Sequence, residues 1–317
     1  MKRVPILWLI AVATLFIDPA RAADWPTRPI RIIVPYSAGG AVDILTRLIA
    51  VAMGQELGQS VLVEPRPGGE GNIAAMAVIN ARADGYTLLS SSSVLTVTPL
   101  MSDSPRWKPE DFSPIGRFAT SSGFLVSSAT LPPKTLPDFV AYARSHPGLA
   151  AATVMGAAHT TFTTKLLAKQ AGLEIATVPY QGAAQHMPDL YEGRVALSTI
   201  SGNLACGALT DPKLRVLAMT GATRSPMAPN VPTTAEVGFA GVNTGGWYGL
   251  HARAGTPEAV ITKLSEALRK ALDTDEVKNG LAKACVEIGY QNATEFGAYV
   301  KTDAERWRRV VADVNAR

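Results

Sequence analysis

Short apolar runs rich in β-branched residues alternate with longer stretches of helical periodicity along this chain, and no other feature constrains its fold as strongly. The runs Ile30–Val34, Ser60–Glu64 and Thr87–Ser90 are typical of strands. Between them, Asp43–Leu57 and Asn72–Arg82 have the spacing of helices that bury one face. This alternation predicts an α/β fold in which a largely parallel sheet packs between helices.

The same alternation begins again after residue 123. Predicted strands at 124–127, 177–179 and 215–220 accompany a predicted helix at 137–145. The tail then returns to helices, and the last of them opens with Asn292-Ala-Thr-Glu295, which resembles a capping box. The sequence therefore contains two α/β blocks followed by a helical tail.

Helices that follow an inserted block imply that the chain crosses between two lobes twice. The extended stretches 118–126 and 245–251 are the predicted crossings, because their Gly and Ser residues suit a hinge. The length of the chain suits two lobes of ordinary domain size. We predict that residues 23–122 plus 245–317 form the first lobe and that 123–244 form the second.

The first 22 residues have the three parts of a secretory signal peptide. Lys2 and Arg3 precede the apolar run Val4–Ile17, and Ala20-Arg21-Ala22 supplies the small-x-small pattern of a cleavage site. The apolar run is shorter than the roughly 20 residues that a membrane span needs, although a retained anchor is the alternative. We predict a signal peptide over residues 1–22 and a mature protein in the periplasm.

Charge and motif content exclude several classes of function. The chain has 30 Lys and Arg against 26 Asp and Glu, and because the basic residues are scattered, no nucleic-acid partner is expected. No GxSxG, HExxH, P-loop or GxGxxG motif occurs. His146, His186 and His251 have no second ligand at helical spacing. We predict a protein without enzyme activity, metal or cofactor.

Two cysteines, Cys206 and Cys285, are the only ones in the chain, and neither lies in a metal-binding spacing. Cysteines in an oxidising compartment can pair. Nothing in the sequence shows that these two meet, so we favour two separate buried thiols over a disulfide.

Two strand-to-helix turns repeat one pattern, one in each block. Residues 33–40 are Ile-Val-Pro-Tyr-Ser-Ala-Gly-Gly, and residues 177–184 are Thr-Val-Pro-Tyr-Gln-Gly-Ala-Ala. Small residues leave backbone N–H groups uncovered at a helix N-terminus, where the partial positive charge favours an anion. The second turn, which contains Tyr180, equally suits a hinge or a packing turn. The first turn is predicted to hold a carboxylate, with the site residues Tyr36, Ser37, Ala38, Gly39 and Gly40.

Other loops at strand ends supply further candidates for the same cleft. Ser90–Ser93 offers hydroxyls, of which Ser92 is a predicted site residue, although such a run is also typical of a simple turn. Amides around Asn72, at the end of a glycine-rich run, face the ligand in this hypothesis. The loop before another helix adds Gly156, Ala157, Ala158, His159 and Thr160. Whether His159 donates to a carboxylate or lies on the surface without a ligand stays open.

A periplasmic hydrolase is the rival hypothesis from another class. It would use a serine from Ser90–Ser93 together with His159. Neither an acid partner nor a nucleophile elbow accompanies them, so binding is favoured over catalysis.

Taken in order, these motifs resemble the tripartite tricarboxylate transporter substrate receptors, also called the Bug family. The matching segments cover essentially the whole mature chain: Trp25–Asp43, Val63–Ile73, Ala83–Leu89, Val178–Gly182, Lys213–Ala218, Val231–Gly238 and Trp247–Pro257. The resemblance implies a two-lobed periplasmic binding protein of type II, with a closing cleft and a small organic acid as its ligand. It implies that the turn Tyr36–Gly40 holds one carboxylate. The implied partners are membrane permease subunits, a sensor kinase stays open as the alternative, and a monomer is expected.

The second lobe departs from the family pattern. Relatives commonly have Gly-Ser-Thr-x-His where this chain has Gly156-Ala-Ala-His-Thr-Thr161, so two hydroxyl contacts are reduced or displaced. Many relatives carry Asp at the position of Ile200, which Ser201 follows. Ile200 and Ser201 are therefore predicted site residues that offer no acidic partner for an amino group. We expect an apolar or aromatic acid in preference to an amino acid.

Overall fold

The computed structural model describes residues 25–101, 106–154, 158–180 and 182–315. The predicted signal peptide lies outside these ranges. Within them, the strands are β1 Ile30–Val34, β2 Val61–Pro65, β3 Thr87–Ser92, β4 Phe112–Ser121, β5 Gly123–Ser128, β6 Leu149–Val154, β7 Ile175–Tyr180, β8 Leu197–Ser201, β9 Leu214–Met219, β10 Gly246–Arg253 and β11 Glu287–Gln291. The α-helices are α1 Ala41–Leu57, α2 Asn72–Ile79, α3 Val94–Val97, α4 Leu136–Ser145, α5 Ala158–Ala171, α6 Ala183–Tyr191, α7 Gly202–Thr210, α8 Glu258–Asp273, α9 Asp275–Lys283 and α10 Ala293–Asn315.

The strands form two sheets, each with helices packed against it. Sheet 1 has the order β11-β4-β10-β3-β1-β2, and sheet 2 has the order β7-β6-β8-β5-β9. The α/β class is therefore confirmed. The chain crosses between the sheets after β4, which leads directly into β5, and crosses back before β10.

Strand direction differs from the prediction of a largely parallel sheet. β1 is parallel to β2 and β3, and β6 is parallel to β7 and β8, but the other neighbours are antiparallel. The reason is that β5 and β10 begin at the junction between the sheets, so each runs against strands that end there. The carboxyl ends of β1, β3, β6, β7 and β8 consequently lie at the junction.

Several predicted elements match the structure, with shifts at their ends. β1 has the predicted bounds, whereas α1 begins two residues before Asp43 and α2 ends at Ile79. The predicted capping box is present, because the Asn292 amide donates to Glu295 Oε2 and the Glu295 amide donates to Asn292 Oδ1, both at 3.0 Å. Ser90–Ser92 lie within β3 and not in a turn after it.

Buried side chains form a core on both faces of sheet 1. Ile32 packs with α1 and α8 residues on one face, whereas its neighbour Ile33 packs with Ala74, Trp247 and Phe296 on the other. This arrangement follows from the alternation of side chains along a strand. Separate clusters cover sheet 2, and Leu125 and Phe124 enter opposite ones.

Helix α10 contacts the cores of both sheets. Trp307 packs with Val97 of α3 and Phe162 of α5, and Val310 and Val314 pack against the cluster that includes Leu167. The end of the chain, which the predicted lobe boundaries assign to the first lobe, therefore also packs against the second sheet. None of the helices in the described ranges is long and apolar enough to cross a membrane.

The two cysteines form a disulfide, so the expectation of separate thiols is wrong. Cys206 lies in α7 beside sheet 2, and Cys285 lies in the turn between α9 and β11 of sheet 1. The cysteines are 79 residues apart in sequence. Their pairing depends on how the two sheets meet, which no local pattern in the sequence encodes.

Candidate ligand-binding cleft

The turn between β1 and α1 presents small, exposed residues at the junction edge of sheet 1. Ser37, Ala38 and Gly39 are exposed. Gly39 has a φ of +78°, a conformation that favours glycine. Its amide donates to Asp43 Oδ2 at 2.9 Å, and the Gly40 amide donates to the Ser37 carbonyl at 3.2 Å. Two of the predicted donor amides are therefore used to order the turn.

Free amides remain at the start of the same turn. In the described part of the chain, no hydrogen bond is seen for the amides of Ser37 and Ala38. Both stand just before the N-terminus of α1, where the helix dipole favours negative charge. The donors available to an anion are thus Ser37 and Ala38, not the two glycines.

Asp43 orders the turn from beneath. The residue is 2% exposed, and its carboxylate accepts two hydrogen bonds at 3.0 Å from Arg47, whose side chain is about half exposed. Burial raises the pKa of Asp43, but the hydrogen bonds from Arg47 and from the Gly39 amide outweigh that effect, so its pKa is lowered. Asp43 is therefore ionised and paired, and Arg47 offsets its charge at the turn.

A pair of hydroxyls stands next to the turn. The Tyr36 phenol and the Ser92 hydroxyl are 2.9 Å apart, with either oxygen able to donate. Burial raises the pKa of Tyr36 to about 12; the bond with Ser92 acts in the opposite direction, and Tyr248 adds to the increase. Tyr36 thus stays a neutral phenol that can donate a hydrogen bond.

The other serines of β3 have partners within sheet 1. Ser90 lies 2.7 Å from the Thr46 hydroxyl, and Ser91 lies 2.7 Å from His251 Nδ1. Ser91 is 2% exposed and His251 is 1% exposed, and burial lowers the pKa of His251 to about 3. A serine that no substrate reaches, beside an aromatic-packed histidine, lacks the access that a nucleophile requires.

Asn72 uses its side chain within the first lobe. Its Oδ1 accepts from Trp107 Nε1 at 2.8 Å, and its Nδ2 donates to the Gly69 carbonyl at 2.6 Å. The preceding residues, 68–71, all have positive φ, including Glu70 at 54°. Asn72 therefore fixes an unusual loop, and its place among the ligand contacts stays a prediction.

The loop before α5 is described only in part. Gly156 and Ala157 lie outside the described residues, and the side chains of Ala158 and His159 are likewise not described. Thr160 is buried, and its Oγ1 accepts from the Val154 amide at 3.0 Å, which ties the helix start to the end of β6. The role of His159 stays open.

The second Pro-Tyr turn is built differently from the first. The Tyr180 phenol donates to Asp189 Oδ2 at 2.6 Å, and Asp189 also pairs with Arg194 at 2.8 Å. Ile200 is 2% exposed in a cluster with Phe124, whereas Ser201 is partly exposed just before α7. Tyr180 and Ile200 pack in or against the core cluster around Phe124, whereas Ser201 lies at the junction outside this cluster.

A cavity between the two sheets contains residues that were not predicted as site residues. It is lined from both sides by Thr120, Ser122, Phe124, Gly202, Ser225, Tyr248, Cys285, Val286 and Glu287. Tyr248, which lines this cavity, also adds to the raised pKa of Tyr36, so one residue connects the cavity with the Tyr36 side chain. Thr120, Ser122, Phe124 and Tyr248 fall within the predicted crossings, and that position could have marked them as candidates. No sequence signal marks the residues after α9.

Comparison with known proteins gives the family. The model of the tripartite tricarboxylate transporter family receptor matches residues 45–316. Three solved structures are similar over nearly the whole chain. The periplasmic binding protein BugD is 28% identical with a TM-score of 0.78, covering 92% of this chain and 99% of that one.

The two other structures contain organic acids. Rpa4515 of R. palustris, solved with adipate, is 32% identical with a TM-score of 0.81 and covers 92% of this chain and 98% of its own. MatC of Rhodopseudomonas palustris, solved with bound malate, is 28% identical with a TM-score of 0.77 and covers 90% and 100%. The fold of this chain therefore matches the fold of these binding proteins. The chain belongs to the tripartite tricarboxylate transporter receptor family, the Bug family of periplasmic solute-binding proteins.

Proposed function

We propose that this protein captures a small organic carboxylate between two lobes and delivers it to a tripartite tricarboxylate-type transporter. The lobes are residues 23–122 plus 245–317 and residues 123–244. The observation that carries the proposal is the exposed turn at Ser37 and Ala38, whose amides are unused beside the Tyr36 phenol. Tyr248 supports a link between this turn and the cavity between the sheets, because it lines the cavity and adds to the raised pKa of Tyr36.

The first lobe supplies general recognition of a carboxylate. The amides of Ser37 and Ala38 donate either to the two oxygens of one carboxylate or both to the same oxygen. The dipole of α1 favours the negative charge of that carboxylate. Because Arg47 pairs with Asp43, the carboxylate beneath the turn does not act as an unpaired charge against the ligand. The bound acid then shifts the population towards the closed form. The size of this shift is set by the difference between its affinities for the closed and the open forms.

The second lobe selects among acids. The Asp189 carboxylate is bonded to Tyr180 and Arg194, and Ile200 is apolar and buried, so neither offers a free carboxylate to an ammonium group. The relatives with adipate and malate support an acid without an amino group. We propose that an acid with an apolar body, such as adipate or a benzoate-type acid, is preferred to an amino acid.

Export and delivery complete the proposal. Residues 1–22 act as the signal peptide, and the mature protein works in the periplasm as a monomer. Membrane permease subunits receive the ligand. Co-purification with a sensor kinase in place of a permease would reassign the partner.

Isothermal titration of protein purified from the periplasm tests ligand class. The probes are adipate, malate, benzoate, aspartate and glutamate. Adipate or benzoate is expected to bind at one site per chain, with aspartate and glutamate at least about ten-fold weaker, a difference of about 1.4 kcal/mol. Tight binding of aspartate or glutamate alone would contradict the proposal.

A further inference from the structure

The disulfide joins the two sheets beside the crossing that leads from β4 to β5, because Cys285 lines the same cavity as Thr120, Ser122 and Phe124. Cys206 lies in α7, whose N-terminus follows β8 of sheet 2, and Cys285 lies just before β11 at the edge of sheet 1. We infer that this bond restrains the relative motion of the lobes and keeps the ligand-free protein near one lobe separation. The inference rests on the proposed function, because it assumes that the lobes move when ligand binds.

The backbone at Cys285 has a conformation that a non-glycine residue rarely adopts. Its φ is 53°, and it ends α9 with the hydrogen bonds Cys285 N–H to the Ala282 carbonyl and Val286 N–H to the Leu281 carbonyl. Helix ends of this kind favour glycine. Gly58 after α1 and Gly172 after α5 have the same left-handed conformation, with φ of 66° and 64°. Cysteine at this position is therefore strained, which indicates a function that glycine would not supply.

The two sides of the disulfide also approach closely through their backbones. A β-carbon at Gly202 would lie 2.8 Å from the Cys285 carbonyl oxygen. Gly202 and Cys206 are four residues apart on α7, so they share one face of the helix. Contact between the lobes thus extends over a full helical turn, and the disulfide locks it covalently.

The position of the bond places it beside the candidate cleft. Cys285 and Gly202 line the cavity between the sheets together with Tyr248, which neighbours Tyr36. Opening the cleft at this side would separate α7 from the turn before β11. Since a disulfide holds its two α-carbons within about 4.4–6.8 Å and these lie 6.2 Å apart, such a separation is blocked while the bond is intact.

Other contacts also connect the two lobes, and the disulfide acts together with them. Arg306 of α10 donates to the carbonyl of Asn243 in the predicted second lobe and to that of Gly245, where the returning crossing begins. Trp307 packs against Phe162 of α5. The crossings, the end of α10 and the disulfide thus all connect the two sheets.

Distances between two spin labels, measured by double electron–electron resonance in the ligand-free protein, test this inference. Spin labels are attached to a ketone-bearing unnatural amino acid at Gln55 on α1 and Ala141 on α4, both exposed, so that the cysteines stay unmodified. Cys206→Ser and Cys285→Gly each remove the bond, but only Cys285→Gly also removes the left-handed strain. Both variants are expected to broaden the distance distribution about two-fold or more relative to the oxidised protein, as expected of hinge motion.

Reduction of the wild-type protein with a phosphine provides the matched control. It is expected to give the same broadening, and to change neither variant. Equal distributions in the oxidised protein, the reduced protein and both variants would overturn the inference, as would free thiols at both cysteines in non-reducing peptide mass spectrometry. These measurements need no ligand, so failure of adipate or benzoate to bind would count against the proposed function and not against the restraint.

Discussion

The two Pro-Tyr turns have nearly the same sequence pattern but different surroundings. Tyr36 is paired with Ser92 of the neighbouring strand and leaves an exposed turn with unused amides. Tyr180 instead donates to Asp189, an acid on the helix that its own turn begins. One turn is held by groups beside and beneath it, and the other is held by its own helix. The comparison shows that a repeated motif specifies a local shape, while neighbouring elements decide whether that shape is open to a ligand.

The largest expected effect is a loss of ligand affinity when a glycine of the first turn is replaced. The same replacement at a glycine with a similar φ elsewhere is the comparison. Gly39→Val forces a β-branched residue to a φ of +78° and displaces the amide that Asp43 holds. We expect affinity for the acid identified by titration to fall about 100-fold, near 2.7 kcal/mol. Gly58→Val is the control, because Gly58 has a similar φ of 66° at the far end of α1. Equal losses in both variants would show that strain, and not the turn, weakens binding.

Each lobe contains a buried histidine, so the dependence of the unfolding free energy on pH compares the two lobes. His251 in sheet 1 has a pKa lowered to about 3 by burial. Because the unfolded chain, with a histidine pKa near 6.5, binds the proton more readily, stability is lost as pH falls from about 6.5 towards 3. Unfolding by urea is expected to show a loss of about 1.6 kcal/mol between pH 6.5 and 5, with the slope approaching about 1.4 kcal/mol per pH unit at the lower end.

Single substitutions assign that loss to one lobe. His251→Gln should remove most of the pH dependence in this range. His186, the buried histidine of the second lobe, also has a pKa lowered by burial and lies 3.0 Å from Ser198, and His186→Gln should remove a smaller part. A pH dependence that is unchanged in His251→Gln would contradict the assignment.

The smallest expected effects distinguish the two tyrosines. Tyr36→Phe removes the hydroxyl next to the turn and should weaken binding about ten-fold, which is the worth of a typical hydrogen bond. Tyr180→Phe should weaken it by no more than about three-fold, because its phenol is engaged by Asp189. Isothermal titration of both variants measures the difference. A larger loss in Tyr180→Phe would move the main acid contact to the second lobe.

Local chemistry in the sequence was enough to predict parts of the fold and the first turn. The bounds of β1, the capping box at Asn292 and the small residues after Tyr36 all depend on neighbours in the chain. The antiparallel strands were not predicted, because their direction depends on where the chain crosses between sheets. Pairing of Cys206 with Cys285 depends on the same long-range geometry.

Within the site, the sequence predicted the turn but not how its amides are used. Gly39 and Gly40 were expected to face the ligand, whereas their amides bond to Asp43 and Ser37. The residue that takes the Gly39 amide lies four positions later, and only the helix geometry brings it back. Tyr248 was likewise missed, because its approach to Tyr36 needs β10 to pair beside β3.

A crystal structure of the protein with the tightest-binding acid tests the central claim most directly. The account predicts one carboxylate with its oxygens about 3 Å from the amide nitrogens of Ser37 and Ala38, beside the Tyr36 phenol. It predicts that Gly39 still donates to Asp43 in that complex. An acid bound only by residues of the second lobe, with the Ser37 and Ala38 amides left to solvent, would contradict it.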